Sequence, residues 1–169
     1  FPQVVSVGIK NEGEGKYIEQ KMEEQGVPII TTKLEFTAAV ITLISFASNH
    51  NDEGRVDNLI IQVHPKDQPQ VDCTPEIVIN SKNVFWMKSH EEEGELRFDN
   101  ENGKVFFIVK SPLTAAGSAP AIHYQLKGGI ATAAKPLEYI LRFPQEGQSF
   151  GKIEDGLQIS ESKELLEEV

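Results

Sequence analysis

The sequence predicts an all-β chain: an antiparallel β-sandwich, jelly-roll-like or elaborated immunoglobulin-like, closed by a short C-terminal helix. Three observations predict it. Apolar residues recur at period two in segment after segment, which suits strands and not helices. Turn-forming residues interrupt these segments at the short spacing of sandwiches and barrels. The length of 169 residues suits one jelly-roll-sized domain over 1–169. A simple immunoglobulin domain needs only about 100 residues.

The elements follow in order. Val5, Val7 and Ile9 alternate before the turn Asn11-Glu12-Gly13-Glu14-Gly15. Ile18 and Met22, four apart, fit one or two helical turns over 17–25. From Leu34 to Ser48 the even positions read Leu34, Phe36, Ala38, Val40, Thr42, Ile44, Phe46, Ser48. That run predicts one strand, with a middle buried on both faces or a bend within it, since Ile41 and Leu43 are apolar too. Leu59, Ile61 and Val63 follow a turn over 49–54. Pro65, Pro69 and Pro75 bracket a loop, and 76–79 is a short apolar run. Val84 to Met87 forms another strand pattern. Segments 95–99 and 104–110 form a hairpin around Asn102-Gly103, residues that tolerate positive φ. Segment 111–121 is a small-residue loop. Ile122, Tyr124 and Leu126 alternate, as do Leu137, Tyr139, Leu141 and Phe143; Ile153, Leu157 and Ile159 suggest a last strand. Ser160 or Ser162 caps the expected helix, so 160–169 reads as a helical or frayed tail.

Composition removes several functions. Sixteen Lys and Arg against 26 Asp and Glu give a net charge of −10, with no basic arm at either end. Nucleic-acid binding takes most of its affinity from clustered cations, so no nucleic-acid partner is expected. An acidic chain is also a poor match for an anionic membrane. No apolar run approaches the roughly 18–20 residues of a spanning helix, so no membrane insertion is expected. Cys73 is the one cysteine, which rules out an internal disulfide and a Cys-based zinc cluster. The chain starts at Phe1 rather than Met, which suggests a processed chain or an excised domain; virion or cell surface is the favoured location.

Catalytic signatures are sparse. There is no Walker A loop and no HExxH pair among His50, His64, His90 and His123, and the one G-x-S-x-G spacing, Gly147-Gln148-Ser149-Phe150-Gly151, lies in an all-β pattern that offers no strand-to-helix turn for a nucleophile elbow. Cys73 has the acidic neighbour Asp72, which does not favour a thiolate. A hydrolase with two facing carboxylates ranks last, since 26 acids make any chosen pair arbitrary. No enzyme is expected.

Binding candidates are of three kinds. Asn49 to Asp57 resembles a calcium loop, with Asn51, Asp52 and Asp57 as candidate ligands for Ca²⁺. Ile60 stands where the closing Glu belongs, so a polar hairpin turn is the preferred reading and no other cofactor is expected. The acidic run 91–95 reads as a solvated loop. Trp86 and Tyr124 offer aromatic faces for stacking a glycan, against a plain core role. Leu113, Thr114, Ala115 and Ala116 lie in an uncharged loop, and charge depletion marks the middle of protein interfaces.

The expected function is a non-enzymatic structural or binding module for protein–protein assembly or surface display, for example an outer capsid or surface-protein domain. Its partner is another protein or a second copy. The alternative is a lectin-like carbohydrate-binding sandwich, helped by Ca²⁺. Both rest on analogy of fold.

Overall fold

The computed structural model describes residues 4–23, 28–50, 54–80, 88–92, 95–99, 105–109, 114–116 and 121–144. Within them the chain forms β1 (Val4–Ile9), β2 (Lys16–Glu23), β3 (Ile29–Glu35), β4 (Ala39–His50), β5 (Gly54–Pro65), β6 (Gln70–Cys73), β7 (Pro75–Asn80), β8 (Lys88–Glu92), β9 (Glu95–Asp99), β10 (Val105–Val109), β11 (Thr114–Ala116), β12 (Ala121–Gln125), β13 (Gly129–Thr132) and β14 (Leu137–Pro144). No helix occurs among the described residues, and so none there is long and apolar enough to cross a membrane. The all-β expectation stands. The expected helix at 160–169, the strand pattern at 84–87 and the one at 153–159 lie outside the described residues.

The strands make three sheets. The largest has eight strands in the order β2-β3-β4-β5-β14-β10-β9-β8, a second has β1-β7-β12-β11, and a two-stranded ribbon pairs β13 with β6. Every pairing is antiparallel. Chain order explains one half of the large sheet, since β2 to β5 is a run of consecutive hairpins. The β5–β14 seam instead joins residues far apart in sequence, with Leu137 opposite Val63 and Pro144 opposite Val56.

Four expectations are corrected. The run 34–48 is not one strand: the chain reverses at 36–38, so Glu35 faces Val40 and Leu34 faces Ile41. The Phe36 N–H donates to the Ala39 carbonyl across this reversal (2.9 Å). Alternation passes unbroken through it, because Phe36 is buried between the two strands it joins. Second, the described part of 17–25 holds no helical turns: 16–23 is strand β2, because a segment this short gains more from a ladder to β3 than from one uncapped turn. Third, Glu91 and Glu92 of the acidic run belong to β8 and Glu95 to β9, with Glu92 opposite Glu95, while 93 and 94 lie outside the described residues. Fourth, the 111–121 segment contains β11, paired to β12, and the Pro-flanked loop contains β6.

The reversal at 36–38 is tied to its surroundings. The Lys66 N–H and the Gln68 side-chain amide both donate to the Ala38 carbonyl, and the Thr37 N–H donates to the Glu12 carboxylate at 2.9 Å. The Phe36 ring lies against Gly15, where a Cβ would sit 2.6 Å from the ring. Gly15 is thus the position that lets the turn before β2 close on the core. Asn11 and Asp67 take positive φ in their turns, a conformation that Asn and Asp tolerate best after glycine.

Side chains from all three sheets pool into one core: Ile9, Ile77, Val71, Ala131 and Leu126 meet Phe36, Ile41, Ile61, Val63, Tyr139 and Leu141. Apart from Phe36 at the reversal, these large-sheet residues occupy the odd positions of β4, β5 and β14. The even positions are buried as well, through Ile44, Phe46, Val56, Ile60 and Ile140, with Asn58 and Arg142 among them. The Asn58 amide donates to the Ser48 hydroxyl at 2.9 Å and lies within 3.3–3.4 Å of the Val56 and Phe46 carbonyls, so its polarity is accommodated. The centre of the large sheet therefore loses its polar face, which is why 59–61 and 139–141 read as continuous apolar runs.

Ile60 and Ile61 point to opposite faces, and both are 0% exposed. Ile60→Ala and Ile61→Ala should each cost about 2–5 kcal/mol, read as a fall in the urea midpoint at unchanged slope. A sheet with one wet face would lose stability from only one of the two.

Candidate functional site

The strand β2 ends the large sheet, and among the described residues it pairs with β3 alone. Its outer edge therefore presents backbone N–H and C=O groups that no strand there takes up, an arrangement that invites a further strand. Exposure agrees: seven of its eight residues are exposed, Glu19 being the half-buried one.

A register shift shapes the strand. Tyr17 faces Leu34 and Glu19 faces Lys33, so Ile18 has no cross-strand partner and forms a bulge. The bulge resets the pleat. Tyr17 then falls in the row Leu34, Ile41, Val63, and Met22 in the row Ile30, Ser45, Leu59. Cross-strand partners share a face, so Tyr17, Gln20 and Met22 all project on the side that carries the core. Beyond the core's rim this side is uncovered: Tyr17 is 59% exposed, Met22 55% and Ile30 36%. Ile18, in the bulge, is exposed too.

The opposite side of the hairpin is ionic. Glu19 meets Lys33 at 2.7 Å and Lys21 at 3.1 Å, and Lys66 meets Glu35 at 3.1 Å. The hydrogen bond from Lys33, and then the one from Lys21, hold the Glu19 carboxyl below its usual range. Burial, followed by the Lys33 charge, pushes His64 down on the same side. Gln20 donates to the Thr32 hydroxyl (2.9 Å), locking β2 to β3. The edge is thus apolar on one side, charged on the other, and rigidly held to its neighbour.

Sequence candidates fall elsewhere. Thr114, Ala115 and Ala116 form β11, the edge of the four-stranded sheet, and Ala115 lies directly opposite Tyr124. The structure therefore brings an interface candidate and a stacking candidate into one ladder. Leu113 and Trp86 lie outside the described residues, as do Asn51 and Asp52. Asp57 is an exposed residue of β5, between Ala47 and Phe143 in register. Among the described residues no three His, Cys, Asp or Glu side chains gather as a metal site. The β2 edge itself was missed, and its signal was Lys16-Tyr17-Ile18-Glu19-Gln20-Lys21-Met22-Glu23, in which polar and large apolar residues mix without a clean period because the bulge shifts the phase.

The remaining group with nucleophilic potential is quiet. Burial, then the carboxylates of Asp72 and Glu12, push the Cys73 thiol up, as its acidic neighbour suggested. Nearby, the buried Tyr139 hydroxyl donates to the Lys127 carbonyl, and burial followed by Cys73 pushes its pKa up to about 12.

No family model matches this chain, and neither the curated proteins nor the solved structures contain a detectable relative.

Two pH effects follow. A lowered Glu19 binds fewer protons folded than unfolded, so its contribution is present above its unfolded value of 4.5 and is lost as pH falls through the lowered folded value. Denaturation curves of the wild type and Glu19→Gln should differ at neutral pH and converge in acid. Tyr139 runs the other way: its contribution is present below pH 10 and is lost as pH rises through about 12. Tyr139→Phe should cost about 1–2 kcal/mol at neutral pH, from the lost hydrogen bond to the Lys127 carbonyl, and should flatten the alkaline limb.

Proposed function

We propose that this chain is a non-enzymatic assembly module, a jelly-roll-like β-sandwich whose larger sheet offers its β2 edge to another protein. The observation that carries this reading is the uncovered row of Tyr17, Met22 and Ile30 beside an open strand edge. Large apolar side chains gathered at one edge, with ionic groups on the reverse side, are what a protein-binding rim requires. The shared core of the two larger sheets supports the sandwich arrangement. The raised Cys73 thiol favours binding over bond-making chemistry at that residue. An outer capsid or surface-protein domain is one concrete setting for such a module.

Position-specific photo-crosslinking tests it. A benzophenone side chain at Met22 should capture protein at the edge, whereas one at the exposed Glu138, on the opposite side of the sheet, should not. Equal capture from both positions, or none from position 22, would overturn the reading. Exposed substitutions of this kind normally change stability by about 0.5 kcal/mol or less, so the fold should survive either label.

A further inference from the structure

The charges along β2 identify a specific occupant for its open edge. We propose that a second copy of this chain pairs with it, β2 against β2 and antiparallel about a two-fold axis at Gln20, joining two eight-stranded sheets into one. The proposal rests on the assembly reading above and names its partner.

A two-fold axis perpendicular to the sheet keeps each residue on its own face, so only residues of one face can oppose each other. Lys16, Glu19, Lys21 and Glu23 share the charged face, and Tyr17, Gln20 and Met22 share the apolar one, once Ile18 is set aside as the bulge. With the axis at Gln20, Lys16 opposes Glu23, Tyr17 opposes Met22, Glu19 opposes Lys21, and Gln20 opposes Gln20. Every charged residue then meets its opposite, and each exposed apolar residue meets another. The symmetry makes each of these contacts twice.

The neighbouring registers fail. Moving the axis to Glu19 sets Glu19 against Glu19 and Lys16 against Lys21. Moving it to Lys21 sets Lys21 against Lys21 and Glu19 against Glu23. Like charges placed directly opposite are destabilising, and an axis at Tyr17 or Met22 avoids them only by pairing three residues of β2 where the axis at Gln20 pairs seven, so the alignment at Gln20 is favoured. Lysine on an edge strand ordinarily deters an added strand; here each lysine faces a glutamate of the added strand when that strand is β2 itself. The bulge is essential to this match. Without the phase shift at Ile18, Lys16 and Tyr17 would exchange faces and the self-complementary pattern would be lost.

A contact one strand wide sits at the small, reversible end of protein interfaces, so sedimentation equilibrium from micromolar to millimolar chain is the first measurement. A monomer–dimer equilibrium is expected, and Lys21→Glu should weaken it about tenfold by opposing like charges twice. Disulfide trapping then reads the register, in a Cys73→Ala background. Directly opposed residues lie about 4.5–5.5 Å apart between Cα atoms, within disulfide reach, while diagonal neighbours lie about 7–8 Å apart. Gln20→Cys should cross-link to itself. Glu19→Cys should not, yet should cross-link when mixed with Lys21→Cys. A chain that stays monomeric at millimolar concentration, or cross-links that ignore this pairing, would overturn the self-pairing. If position 22 still captures another protein in that case, the assembly reading survives alone; if it captures nothing, both fall. Should Cys73→Ala fail to fold, the wild-type and Lys21→Glu sedimentation data decide.

Discussion

Burial on both faces of β4, β5 and β14 is the constraint on which this architecture depends. A strand with one wet face can satisfy its pleat with polar residues on alternate positions. These three cannot, and so Ile60 beside Ile61, and Ile140 beside Leu141, occupy consecutive buried positions. The requirement extends to polar groups. Asn58 is retained inside with its amide directed at a hydroxyl and two backbone carbonyls, because an unsatisfied amide there would cost more than the fold can spare. Away from this seam, toward β2, burial thins until the outermost strand is almost entirely exposed.

Legibility in the sequence followed the same gradient. β1, β7, β9, β10, β12 and β14 could be read from period two or from a bounded apolar run, because their neighbours leave the pattern undisturbed. The reversal at 36–38 could not be read: Phe36 is apolar and buried at the tip of a hairpin, so the sequence shows alternation where the backbone turns back. Short strands such as β6, β11 and β13 carry too few residues to establish a period, and their pairing comes from partners elsewhere in the chain. β2 was hidden for a different reason. A bulge moves the phase by one residue, and Ile18 and Met22 then fall at a helical spacing by coincidence.

For the candidate site, the sequence and the structure point to different surfaces. It singled out the uncharged residues 113–116, whereas the uncovered apolar row lies among charges at Tyr17, Met22 and Ile30. Charge depletion is a guide to the centre of a broad interface. An edge strand works differently: its backbone supplies attraction without regard to sequence, and charged side chains decide which strand is admitted.

The seam between β5 and β14 has a consequence for biosynthesis. The hairpins of β2 to β5 are local and can close as soon as they leave the ribosome, at modest cost in loop entropy. β14 follows more than seventy residues after its partner, as Leu137 opposite Val63 shows. Until it arrives, β5 is a twelve-residue strand carrying Val56, Leu59, Ile60, Ile61 and Val63, paired to β4 on one side and open on the other. The nascent chain therefore passes through an interval in which a strand of its core is open to the wrong companion, and conditions that slow translation or shorten the chain before Leu137 should favour precipitation over folding.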